Sequence, residues 1–148
     1  LSKKGIKRHE VLKPLSRHHM IGLHLALKLK RAGTKESRWT VKQILQDAEQ
    51  FWKPDGLRHF REEEEFLLPA YAEVGDIEHP LIKLMLEEHK KIRASMDLLL
   101  KQSMATLEMN ELGHLLEDHI RREEREIFPM IEQALPEDKL QQLAPYLH

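Results

Sequence analysis

Two stretches of this chain, HFREEEEFLLP from His59 and HIRREEREIFP from His119, are copies of one pattern. Each keeps the His, an apolar residue after it, an Arg, two adjacent Glu, a late apolar pair and a closing Pro. In a helix, residues four apart stand one turn apart on one face, so His59 pairs with Glu63 and His119 with Glu123. An imidazole with a carboxylate one turn beyond is what a single helix offers a metal ion. Two such helices facing each other can hold two ions with the carboxylates between them. One HxxxE alone is a common helix-surface pair; two copies with matching flanks are not. The repeat also chooses among the acids. Arg122 stands where the first copy has Glu62, and Arg125 where it has Glu65, so neither acid belongs to the shared pattern. Glu64 and Glu124 are shared, but five residues after the His places them roughly 140° around the helix. Glu63 and Glu123 remain as the candidate ligands, with Glu124 the less favoured choice on its helix.

A second, weaker repeat adds two histidines. Leu15, His19, Gly22, Ala26 and Leu29 follow the same alternating steps of four and three as Met85, His89, Ile92, Met96 and Leu99. A lone His on an apolar stripe is usually a core histidine. Four helices that each turn a His inward make a different case, because burying several imidazoles and two carboxylates without a partner costs several kcal/mol. A metal ion is such a partner. His18 competes with His19, about 100° away on the same helix, and the match to the third helix favours His19. His24 points off the stripe, His114 lies off the face of His119, His79 sits at a helix start, and His9 and His148 lie near the ends; none reads as a ligand.

The elements that must position these residues are helices. The periodicity predicts a first helix from Pro14 to about Arg31 and a second from Glu36 or Ser37 to near Tyr71, broken at Pro54-Asp55-Gly56. A third follows His79-Pro80 to about Thr106, and a fourth, with Asn110 as N-cap, runs to about Gln133. The basic segment Leu1–Leu12 reads as frayed or loosely docked, and LQQLAPYLH as a short helical turn across one end. No alternating strand pattern occurs. The fold expected is all-α, an up-down-up-down four-helix bundle. The 148 residues read as one domain with its core at about 14–133.

Composition narrows the chemistry further. The chain has no Cys, so cysteine-ligated zinc, iron–sulfur clusters and thiolate nucleophiles are excluded. With 41% hydrophobic and 33% charged residues and a net charge of −1, neither a nucleic acid nor a membrane partner is indicated. The expected location is the cytoplasm. Nitrogen and oxygen ligands suit Fe, Mn or Zn.

The order His, HxxxE, His, HxxxE over four helices, with the PLSRHH opening, resembles the hemerythrin-like (HHE cation-binding) domain family. The resemblance runs from about Pro14 to Gln133. It implies a non-haem di-iron site in the bundle core, with Glu63 and Glu123 bridging two iron ions and His19, His59, His89 and His119 as terminal ligands. A bridging oxo or hydroxo group would offset the remaining positive charge. The oxygen-carrying hemerythrins place two His one turn apart on the third helix, whereas Met85 and Arg93 flank His89 at that distance. Those proteins use an Asp five residues after the last His, where Glu124 stands here. The pattern is therefore closer to a variant with four His and two Glu. With six protein ligands for two ions, open positions are expected. The function this implies is binding or sensing oxygen, or reacting with peroxide or nitric oxide. That describes a protein for a metal and a small ligand more than a dedicated enzyme, since no substrate pocket or electron-donor motif is legible. An iron store or sensor, and a metal-free helical interaction domain, are the alternative readings.

Overall fold

A computed structural model describes residues 7–148. Among them there are helices and no strand. A 3₁₀ turn at Glu10–Leu12 leads into α1 (Lys13–Arg31), and α2 (Val41–Phe51), α3 (Leu57–Glu62) and α4 (Leu68–Ala72) together make the second long helical rod. The third rod is α5 (Pro80–Leu100), the fourth is α6 (Thr106–Arg122) with α7 (Phe128–Ala134), and α8 (Glu137–Leu143) is a short helix at the C-terminal end. Each rod packs on two neighbours in the closed order α1, α2, α5, α6, making an up-down-up-down bundle. The tightest approach is between α1 and α6, at Gly113. A Cβ there would stand 2.7 Å from the Lys30 amide nitrogen and 2.8 Å from the Ala26 carbonyl oxygen, so only Gly allows the two backbones to meet.

Several boundaries differ from the sequence expectation, each for a local reason. The second rod starts at Val41 because Thr40 and Gln43 form a reciprocal capping box, at 3.1 and 2.8 Å. Ser37 instead bonds the backbone of Trp39 in a turn. The third rod stops at Leu100, where Gln102 takes φ 59°. Bonds from Gln102 N–H to Leu99 and from Ser103 N–H to Leu98 complete a Schellman stop. The fourth rod begins at Thr106, where Glu108 accepts from the Ala105 N–H. Asn110 is therefore not its N-cap. Its side-chain amide donates to the carbonyls of Leu29, Lys30 and Ala32 and caps the C-terminus of α1. The break in the second rod is where it was expected: Lys53, before Pro54, leaves the helical region at φ −115°, ψ 118°.

Residues 8–12 are docked, contrary to the expectation of a loose segment; residues 1–6 lie outside the described residues. Val11 and Leu12 are buried. Arg8 is buried too, and its guanidinium bonds Glu132 at 3.0 Å and the Glu124 carbonyl oxygen at 2.5 Å.

The core is in two apolar parts. One is built on Leu25, Leu29, Ile44, Phe51, Trp52, Ile92, Met96, Met109 and Leu116. The other holds Leu12, Leu15, Leu67, Ile82, Met85, Ile127, Phe128 and Leu140. Between them in every rod stand the His and Glu residues of the repeats. The bundle is thus apolar at both ends with one polar layer in the middle, and the apolar ends must offset what that layer costs to bury.

Candidate metal centre

Each copy of the HxxxE repeat contains a π turn, at Glu63–Leu67 and at Glu123–Ile127. The Leu68 N–H reaches back five residues to the Glu63 carbonyl, and the Phe128 N–H to that of Glu123. The closing prolines explain the position. Pro69 and Pro129 have no N–H to give and their rings crowd the carbonyl four residues earlier, so the helix widens just before them. The two candidate carboxylates sit where that widening begins.

His19, His59, Glu63, His89, His119 and Glu123 all point into the polar layer and all are buried, Glu63, His89 and Glu123 completely. They form two overlapping groups whose donor atoms lie within 4.8 Å of one another. One is His19, His59, Glu63 and Glu123; the other is His89, His119, Glu63 and Glu123. The two carboxylates are common to both. His19 Nε2 is 2.9 Å from Glu123 Oε1, His59 Nε2 is 2.9 Å from Glu63 Oε2, His89 Nε2 is 3.0 Å from Glu63 Oε1 and His119 Nε2 is 2.9 Å from Glu123 Oε2. Close as they are, His19 Nε2, His119 Nε2, Glu63 Oε1 and Glu123 Oε1 have no partner at hydrogen-bonding angles. These four atoms are crowded among the other donors of the layer and remain unpaired. An unsatisfied buried polar atom costs about 1–3 kcal/mol, so the residues present fit a metal ion in each group.

The other ring nitrogens are held from outside. His19 Nδ1 meets Glu124 Oε2 at 2.6 Å, His89 Nδ1 meets Glu64 Oε2 at 2.6 Å, and His119 Nδ1 meets Glu88 Oε1 at 2.9 Å. His59 Nδ1 meets His18 Nδ1 at 3.2 Å. Each carboxylate is in turn gripped by an arginine: Arg8 on Glu124, Arg93 on Glu64 and Arg122 on Glu88. Ser16 adds a bond to Glu124.

These pairings set the charges of the metal-free protein. Burial works against a charged His19, but Glu123 and Glu124 outweigh it and raise its pKa to about 9. His59, His89 and His119 are likewise raised against burial by the carboxylates around them. Burial resists ionisation of Glu64, yet His89 and Arg93 bring it down to about 2. Glu123 is held well below the usual carboxylate range by His119, His19 and His59, against the cost of burial. His18 behaves in the opposite way: burial and then the nearby His59 and His19 lower it to about 4.

The remaining histidines are elsewhere. His24 and His114 are exposed. His79 caps α5 by accepting from the Leu81 N–H, and His9 does the same for Val11. His148 binds Glu62 with its amide and ring. Glu62 is therefore buried, not part of a solvated face.

Sequence reasoning set aside Glu64 and missed Glu88. The rotation that takes Glu64 off the face of His59 brings it to His89 on the neighbouring rod, which a single-helix wheel does not show. Glu88 had no counterpart in the helix repeat, because α1 carries His18 at that position.

A model of the hemerythrin HHE cation-binding domain matches residues 11–131. The chain belongs to that family. No curated protein matches it, and no solved structure does. In hemerythrin terms the match takes in all four rods and every residue of the polar layer. A small apolar void of about 10 Å³, room for about one water-sized probe, lies beside this hemerythrin layer. Phe51, Gly56, Phe60, Leu116 and Ile120 wall it, together with the rings of His18, His19, His59 and His119.

Proposed function

We propose that this hemerythrin-family chain holds two iron ions in its polar layer and uses them to bind a small molecule such as oxygen, peroxide or nitric oxide. The observation that carries the reading is the sharing of Glu63 and Glu123 between two four-donor groups, with buried donor atoms left without hydrogen bonds. In it, His19 and His59 serve one ion and His89 and His119 the other. Glu63 and Glu123 would serve both ions, and Glu64, Glu88, Glu124 and His18 would fix the rings. Nitrogen and oxygen donors without sulfur suit iron, as they also suit manganese or zinc. When bound, the ions would supply redox chemistry and open positions for a small ligand.

The chain's own residues govern access and solvent. Phe51, Phe60, Leu116 and Ile120, with the histidine rings, line a small and mostly apolar space beside the layer. A metal-free interaction domain would have no use for four unsatisfied donors at its centre. The test is to load metal-free protein with ferrous iron without oxygen and then admit air. New near-ultraviolet absorption that is lost in Glu63→Ala and Glu123→Ala is expected. A spectrum unchanged by air, with iron bound, would overturn the small-ligand reading.

A further inference from the structure

The outer partners of the four imidazoles form a closed ring around the bundle. Each partner is the neighbour in sequence of a donor on one rod, and it reaches the His of the next rod. His18, beside His19, holds His59; Glu64, beside Glu63, holds His89; Glu88, beside His89, holds His119; and Glu124, beside Glu123, holds His19. Three of the four links are carboxylates. The fourth is an imidazole, at the position on α1 that matches Glu88 on α5.

We infer that His18 makes the two halves unequal as metal sites: the His89/His119 half binds the first ion tightly, and the His19/His59 half binds the second more weakly. This rests on the two-ion reading above. A carboxylate on Nδ1 fixes the tautomer with Nδ1–H outward, and it makes Nε2 a stronger donor. Both rings of the His89/His119 half have one. In the other half only His19 does, because an imidazole is neutral or cationic and cannot be an anionic acceptor. The substitution is matched one layer out. Arg122 backs Glu88, whereas the repeat has Glu62 at the matching position, bound to His148 and 3.7 Å from Arg58 of its own rod. The missing carboxylate at position 18 is therefore accompanied by a missing arginine, and His18 is stacked on Phe51 at 4.8 Å. His18 is a positioning residue here, not a ligand.

Loss of an outer carboxylate typically weakens metal binding by about 10–100-fold, which sets the expected gap between the halves. The test is an anaerobic calorimetric titration of metal-free protein with ferrous iron, with circular dichroism on each variant to check folding. Two steps separated by about tenfold or more are expected. His18→Glu should tighten the weaker step and leave the tighter one in place, whereas Glu88→Gln should weaken the tighter step. If Glu88→Gln does not fold, His18→Glu decides alone. Two equal steps in the unmodified protein, or a tighter strong step in His18→Glu, would overturn the inequality while leaving the two-ion reading intact. Absence of any iron binding would overturn both.

Discussion

The two halves of the polar layer share their carboxylates and differ in what surrounds their imidazoles. Around His89 and His119, Phe60 lies flat on His89 at 3.9 Å, and the ion pairs Glu64–Arg93 and Glu88–Arg122 close the outside. Around His59 the outer partner is His18, which with Phe51 also lines a groove of about 290 Å³ between α1 and α2. His18 and Phe51 thus stand between that groove and the void beside the cluster. The lesson is that an internal repeat can duplicate the inner donors faithfully while leaving their outer shell free to diverge. The symmetry of the motif holds for the inner donors and for Glu64 and Glu124, and it fails at His18 against Glu88.

The most severe way to break the comparison is to remove what the halves share. Glu63→Ala or Glu123→Ala should abolish iron binding or halve it, by elemental analysis, because each carboxylate belongs to both groups. Equal iron in both variants and the unmodified protein would show that the donors lie elsewhere. Removing an outer carboxylate should do less and act on one half. Glu64→Ala and Glu124→Ala should each weaken iron binding by about 10–100-fold without changing the final count. Both lie off the faces of His59 and His119, yet their bonds to His89 and His19 tie them to the site.

Iron should also stabilise the fold as a whole. Binding to the folded state alone adds about 2.7 kcal/mol when free metal is a hundred times the dissociation constant. For a domain of this size the melting temperature should then rise by roughly 5–10 °C in calorimetry. Coincident midpoints of metal-free and loaded protein would mean that the layer is simply a set of core pairs.

A further effect concerns pH. His19 in the metal-free protein is raised from 6.5 to about 9. Its contribution to stability is therefore complete below about pH 6.5 and lost as pH rises through about 9. The melting temperature of metal-free protein should fall over that window, and iron, which replaces the proton, should flatten the fall. A metal-free midpoint that stays level from pH 6.5 to 9.5 would remove the ion pairing assigned to His19.

The inner residues were legible in the sequence because helical periodicity turns spacing into a shared face. His59 with Glu63 and His119 with Glu123 needed nothing beyond a four-residue step. The four-rod order was legible for the same reason, since the stripes through His19 and His89 each define one buried side. Contacts between rods were not legible. Glu64 and Glu88 gain their partners from rotation toward a neighbour, and Asn110 looked like the cap of its own helix when it caps another. Arg8 reads as one basic residue in a loose leader until the fourth rod offers Glu124 and Glu132.

Six side chains on four rods would make one centre for two ions. Elemental analysis of protein loaded with ferrous iron under anaerobic conditions and freed of excess metal tests it most directly. About two iron ions per chain are expected from the paired groups. A clean single equivalent, or none, would contradict it.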